Sequence, residues 1–188
     1  MQGGPVDRKV RADAQRNLDA LLGAARDVFA ADGVDAPVRE IAARAGVGVG
    51  TLYRHFPQRS DLVTAVFRHE VDACAQEAPV LAAAHPPLEA LRLWLRRFTA
   101  FLAAKRGLAA ALHSGDPAFE PLPAYFSARF EPALGALLDA AVEAGQVDAR
   151  LSPVELLTTL SRLSTPDREY TERVVDLLLD GMRPRPAA

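Results

Sequence analysis

The sequence predicts an all-α protein: an N-terminal head of three helices, then a larger helical body, with about nine helices in all. Three observations carry this. Apolar residues recur at intervals of three and four along nearly the whole chain, no segment alternates with the two-residue period of a strand, and glycines and prolines mostly punctuate the ends of the periodic runs.

The first helix is expected over about residues 12–32. Leu18, Leu21, Leu22, Ala25, Val28 and Phe29 form one apolar stripe, and Gly33 supplies the residue that ends it. Pro37 suits the first turn of a second, short helix, with Ile41, Ala42 and Ala45 facing inward until Gly46 closes it. Val47 and Gly48 form a turn, and a third short helix runs over about 49–55. Ser60 is the expected N-cap of a fourth helix, with Asp61 behind it. Leu62, Val63, Val66, Phe67, Glu70 and Val71 carry that helix into the high seventies.

After His85-Pro86-Pro87 a long helix at about 88–105 places Leu88, Leu91, Leu95, Phe98 and Leu102 on one stripe, widened by Trp94 and Phe101. Gly107 interrupts it, a short segment leads to Ser114, and Gly115–Pro123 reads as loop. The next helix should span about 124–144, kinked or split by Pro132. The last two are expected at about 153–164 and 167–182, opened by Ser152-Pro153 and Thr165-Pro166-Asp167.

Composition narrows the class. With 49% apolar and 24% charged residues the chain reads as soluble and globular. No apolar run approaches the length of about 18 residues that a membrane span needs. Arg8, Lys9, Arg11 and Arg16 occupy the first twenty residues without the apolar core of a secretory signal, so a cytoplasmic protein with no membrane partner is expected. The single cysteine, Cys74, can form neither an internal disulfide nor a cysteine-rich zinc site and is expected to be a small buried apolar residue. The net charge of −2 conceals a tilt: residues 1–60 hold nine Lys/Arg against seven Asp/Glu, and the excess of acid lies beyond them. That tilt permits nucleic-acid binding without arguing for it.

The stretch V-G-V-G-T-L-Y-R-H-F-P at Val47–Pro57 concentrates polar chemistry in one turn of an otherwise Ala- and Leu-rich chain. Two short helices with small Ala42 at their crossing and Gly46 at the reversal form a helix-turn-helix. On the third helix Val49, Leu52, Tyr53 and Phe56 fall at i, i+3, i+4 and i+7 and are expected to point inward. Gly50, Thr51, Arg54 and His55 then face outward, as a helix entering a DNA major groove requires.

The order of Val28-Phe29 through Gly33, Arg39-Glu40-Ile41-Ala42, Ala45-Gly46-Val47 and Thr51-Leu52-Tyr53-Arg54-His55-Phe56 resembles the TetR family of bacterial transcriptional regulators, over roughly residues 15–72. Beyond these the chain is similar to the family only in helix number and length. The resemblance implies a homodimer whose heads bind double-stranded operator DNA and whose bodies hold the dimer interface and a small-molecule effector. It divides the chain into a flexible arm at 1–14, a DNA-binding domain at 15–58, an effector-binding and dimerisation domain at 59–183, and a tail at 184–188. A repressor released by a mostly apolar or aromatic effector is the implied function.

The family pattern implies that Arg39 and Thr51 touch base edges, with Arg39 suited to guanine O6 and N7. Tyr53 and His55 match phosphate donors, and Arg59 stands where a lysine often grips the backbone. Tyr53 can keep its ring with the core while its hydroxyl reaches a phosphate, and a neutral His55 still donates one N–H. The chain departs from the pattern at Val38, which leaves only a backbone amide where a threonine often contacts phosphate. Gly48, Val49 and Gly50 offer no polar reach, so readout is expected to rest on Arg39, Thr51, Arg54, thymine methyl contacts and duplex shape. Arg8-Lys9-Val10-Arg11 could add phosphate or minor-groove contacts, or form an unstructured tail.

Other classes are less well supported. His55, His69, His85 and His113 have no metal-site spacing, and no phosphate loop or nucleophile elbow is present, so no enzyme activity, metal or cofactor is expected. The alternative is a helical ligand-binding or scaffold protein with a non-functional head. Within the body, Trp94, Phe98, Phe101, Phe119, Tyr125, Phe126 and Phe130 are either core or the wall of a pocket. Tyr125, Arg129, His113 and Arg162 lie on segments that face inward in relatives and would be the sparse polar groups of an effector site. The stripes Val154, Leu157, Leu160, Leu163 and Val174, Val175, Leu178, Leu179 are too broad for one small chain to cover, and predict a two-fold four-helix dimer interface.

Overall fold

The computed structural model describes residues 5–105, 108–112, 114–148, 150–163, 165 and 167–184, with side chains described from residue 15 onward except at 109 and 110. The described residues form nine α-helices and no strand: α1 Pro5–Asp32, α2 Val38–Ala45, α3 Val49–His55, α4 Arg59–Ala84, α5 Pro87–Lys105, α6 Ala109–Leu112, α7 Leu122–Glu143, α8 Pro153–Leu163 and α9 Arg168–Gly181. A short 3-10 turn at Pro117–Phe119 sits in the stretch expected to be loop. None of the described helices is long and apolar enough to cross a membrane.

These helices gather into two compact units. One holds α1 to α3, α4 as far as His69, and the stretch carrying α6 to Glu120; the other holds α4 from Glu70, then α5, and the chain from Pro121 on. The head is therefore larger than the expected 15–58. The reason is that Leu62, Val63, Val66 and Phe67 of α4 are buried, as are Leu108 and Phe119. Thr64 also donates its hydroxyl hydrogen to the Ala118 carbonyl at 3.5 Å.

In the first unit α1 buries Leu21, Leu22, Ala25, Val28 and Phe29, the stripe that its periodicity defines. It begins at Pro5 rather than near residue 12, so the segment expected to be a flexible arm is helical from that point. Pro5 suits a first helical position, and Arg8, Lys9, Arg11, Ala12 and Ala14 are good helix formers. Gly46 ends α2 in the left-handed region at φ 69°. Its N–H reaches the Ala43 carbonyl at 3.2 Å and that of Val47 reaches Ala42 at 3.0 Å, which closes the turn into α3 without exposing unsatisfied carbonyls.

Two expectations about α4 change. The helix starts at Arg59, so Ser60 lies inside it and is not its cap; instead the Asp61 carboxylate accepts the Gln58 N–H at 2.9 Å. Arg59 does not present its guanidinium for a phosphate. It donates through Nε to the Val34 carbonyl and through Nη2 to the Ala36 carbonyl, and it lies over the Phe29 ring at 5.6 Å. These bonds tie the start of α4 to the loop between α1 and α2.

In the second unit α5 packs against α7 and α9, and α7 against α8. Trp94, Phe98 and Phe130 are fully buried. The Trp94 indole N–H donates to the Cys74 carbonyl at 2.9 Å, which satisfies its one polar group inside the core. Cys74 is itself buried, and desolvation pushes its thiol up to about 12. Pro132 is accommodated within a single continuous α7, neither breaking it nor splitting off its first turn. Ser152 and Glu155 exchange hydrogen bonds at the start of α8, and Asp167 accepts the Tyr170 N–H at 3.0 Å at the start of α9. Expected tail residues 185–188 lie outside the described residues.

Because Arg59 satisfies two backbone carbonyls, Arg59→Ala should destabilise the protein by about 1–3 kcal/mol, the scale of hydrogen bonds from a charged donor. Urea titration monitored by circular dichroism measures this. An unchanged unfolding midpoint would show that the two contacts contribute nothing.

Candidate nucleic-acid interface and effector body

A seven-residue helix has little stability of its own, so α3 depends on the residues it buries. Leu52 and Phe56 are buried, and Ile41 and Ala42 of α2 are buried in the same unit. The remaining positions of α3 point outward: Val49, Gly50, Thr51, Tyr53, Arg54 and His55 are all exposed. This corrects the expectation for two residues. Val49 is 39% exposed and Tyr53 51%, because a helix this short has only one buried edge and Leu52 with Phe56 occupies it. Tyr53 thus exposes about half of its surface, and Val49 adds an apolar contact beside Thr51.

Arg39 is exposed in the first turn of α2, as is Arg44 in its last. Neither α2 nor α3 has a side-chain cap at its N-terminus, since Pro37 and Gly48 stand there. Free backbone N–H groups at such ends suit anionic acceptors. The arrangement can therefore offer guanidinium, hydroxyl, phenol, imidazole and backbone donors from one pair of helices. Arg59 is not among them.

The residues expected around an effector divide. Trp94, Phe98 and Phe101 are core: Trp94 stacks on Phe98 at 5.7 Å, and Phe98 and Phe101 meet Phe130 edge-on at 5.2 and 5.3 Å. Phe126 joins them with its ring centroid 4.6 Å from that of Phe130, and the Lys105 ammonium lies over the Phe126 ring at 5.7 Å. Burial lowers the Lys105 pKa. Phe126 and Arg162 border a cavity of about 210 Å³ with Leu157 and Thr158. Tyr125 and Arg129 meet elsewhere, on Asp72 of α4: the Tyr125 hydroxyl donates at 2.7 Å and the Arg129 guanidinium pairs at 3.0 Å. Burial, followed by the bond to Asp72, raises the Tyr125 pKa. His113 lies outside the described residues. Asp72 was missed from sequence because its partners are 53 residues or more away.

The expected dimer stripes also divide. Leu157, Leu160, Val175 and Leu179 are buried within their own unit and so are not outward contacts; Val174 and Leu178 are half-buried, while Val154 and Leu163 are exposed. The outer face of α9 carries two residues the stripe omitted, Tyr170 and Leu177, the latter 71% exposed. Each helix is apolar on two sides, and spacing alone does not say which side its own chain covers.

Comparison with known proteins agrees with the head first. Residues 21–66 match the family described as bacterial regulatory proteins, tetR family, and residues 86–184 match the C-terminal domain of SbtR-like transcriptional regulators. An HTH-type transcriptional regulator of Staphylococcus aureus is 38% identical over 64 residues, which is 34% of this chain and 35% of that protein. The chain thus aligns with about a third of the length of the curated relatives it matches. Two solved structures extend over nearly everything. A TetR transcriptional regulator of Streptomyces coelicolor is 40% identical with a TM-score of 0.76, covering 89% of this chain and 99% of that one. A TetR regulatory protein of Mycobacterium vanbaalenii is 40% identical with a TM-score of 0.75, covering 93% and 99%. The chain belongs to the TetR family of bacterial transcriptional regulators.

Proposed function

We propose that this protein is a cytoplasmic, homodimeric repressor that binds operator DNA through α2 and α3 and is released by a small, mostly apolar or aromatic molecule. The observation that carries the DNA-binding part is the exposed row Thr51, Tyr53, Arg54 and His55 on a helix anchored by Leu52 and Phe56, with Arg39 exposed on α2. Arg39 and Thr51 are read as base contacts, and Tyr53 and His55 as phosphate donors. Gly50 lets the α3 backbone approach the duplex, and Val49 suits a thymine methyl.

Dimerisation is supported by the outward apolar residues of α8 and α9, Val154, Leu163, Tyr170 and Leu177, with Val174 and Leu178 at their margin. Two heads that read successive major grooves need a separation of about 34–36 Å. An effector acts by favouring a state in which α4 is tilted and that spacing is lost, with a coupling of about 1–3 kcal/mol. The polar residues Arg162 and Lys105 beside Phe126 suit the orienting role in an effector site.

Two experiments test this reading. In light scattering at micromolar concentration the protein should be a dimer and Leu177→Glu a monomer, because a carboxylate at the centre of an apolar interface is left unpaired. A monomeric parent protein would contradict the interface. Binding titrations on an operator selected from genomic fragments, and on a scrambled duplex, separate the contacts. Arg39→Ala should lose about 1–3 kcal/mol on the operator and little on scrambled DNA, whereas Tyr53→Phe and His55→Ala should weaken both nearly alike. Equal losses on both duplexes for Arg39→Ala would remove its base-reading role, and no binding to any fragment would leave a helical ligand-binding or scaffold protein.

A further inference from the structure

Helix α2, which carries Arg39, is held at its two ends by different means. At its C-terminus the left-handed Gly46 and the following Val47 return their N–H groups to the Ala43 and Ala42 carbonyls. At its N-terminus there is no side-chain cap, since Pro37 stands there in extended backbone with no acceptor to offer. Eight residues are too few to keep their place by helical propensity alone. What precedes them is a tight turn, in which the Ala36 N–H donates to the Gly33 carbonyl at 3.2 Å.

Arg59 closes that turn from outside. Its Nε–H donates to the Val34 carbonyl and its Nη2–H to the Ala36 carbonyl, so one edge of the planar guanidinium spans two carbonyls that the turn itself leaves unused. The same group lies over the Phe29 ring of α1 at 5.6 Å. One cation therefore joins the end of α1, the turn and the start of α4. Ala36 is buried and stands three residues before Arg39. Arg39 is exposed and makes no hydrogen bond or ion pair among the described residues, so its guanidinium is aimed only by the backbone that carries it. A bidentate contact with a base edge does not survive a displacement of about 1 Å, whereas a contact with a phosphate, which carries no sequence information, is far less exacting.

We propose that Arg59 is a positioning residue for sequence recognition: without touching DNA, it fixes the turn at residues 33–36 and the start of α2 so that Arg39 meets base edges. The role rests on the reading of α2 and α3 as the DNA-contacting pair, and adds to it a cation that stays inside the protein. It replaces the backbone grip that the family resemblance implies for this position. The two roles differ in chemistry, since a phosphate grip needs only a positive charge and the clasp needs the two-pronged edge of a guanidinium.

Two substitutions in the full chain separate them. Arg59→Met keeps an unbranched stem beside Phe29 and removes both donors, while Arg59→Lys keeps the charge and replaces the fork with a single point donor. Arg59→Lys, the milder change, carries the comparison alone if Arg59→Met does not fold. The variants are titrated on the operator and on a scrambled duplex at several salt concentrations, at a temperature where circular dichroism shows the parent's helix content. Each should bind the operator about tenfold more weakly and the scrambled duplex within about twofold of the parent, with the slope of log affinity against log salt unchanged. In the Arg59→Met background, Arg39→Ala should weaken operator binding about tenfold less than it does in the parent, because both substitutions remove the same base contact. A phosphate grip gives other results: Arg59→Met weakens both duplexes alike and flattens the salt slope by about one unit per head, Arg59→Lys restores both, and the Arg39 and Arg59 losses multiply. Any of these would overturn the positioning role. A parent that prefers its operator, with that preference intact in both Arg59 variants, would overturn it alone; a parent that binds no DNA would overturn the regulator reading and this role with it.

Discussion

The burial of Leu52 and Phe56 is the constraint on which the rest of the head depends. A free peptide of seven residues does not remain helical in water, because nucleation costs more than so few hydrogen bonds return. Once those two side chains are fixed against the head, the directions of Thr51, Tyr53, Arg54 and His55 are fixed with them. Removing a large apolar residue from such a site costs about 2–5 kcal/mol, more than α3 can supply by itself. The polar row on α3 is thus a consequence of the apolar row beneath it. Recognition chemistry can vary on the outside while the inside holds the frame.

The same economy of contacts governs α4, the one helix common to both units. At its start Arg59 binds the Val34 and Ala36 carbonyls, and in the second unit its Asp72 receives Tyr125 and Arg129. Each tie is charge-assisted; the Arg59 bonds are partly buried and the stronger, while the exposed Asp72–Arg129 pair is screened by solvent and contributes little.

Much of this was legible in the sequence. The stripe of Leu21, Ala25 and Val28, the reversal at Gly46 and the borders of α2 and α3 follow from helical period and turn chemistry, both local properties. The misplaced residues share a different property, a partner distant in sequence or a choice between two faces. Arg59 finds its carbonyls 25 and 23 residues back, which no local pattern records. Tyr53 and Val49 sit at the correct spacing for burial, yet the short helix buries only Leu52, with Phe56 buried just after its end. Leu157, Leu160, Val175 and Leu179 face their own unit for the same reason that Leu177 does not: periodicity gives a stripe and leaves its partner open.

The central claim is that α3 enters the major groove of its operator, one copy per half-site. Dimethyl sulfate protection reports this directly, since it methylates guanine N7 in the major groove and adenine N3 in the minor groove. On the operator complex, guanine N7 should be protected in two patches about 10 base pairs, or one helical turn, apart, with adenine N3 between them still reactive. Protection confined to adenine N3, or a single uninterrupted patch with no helical spacing, would contradict it.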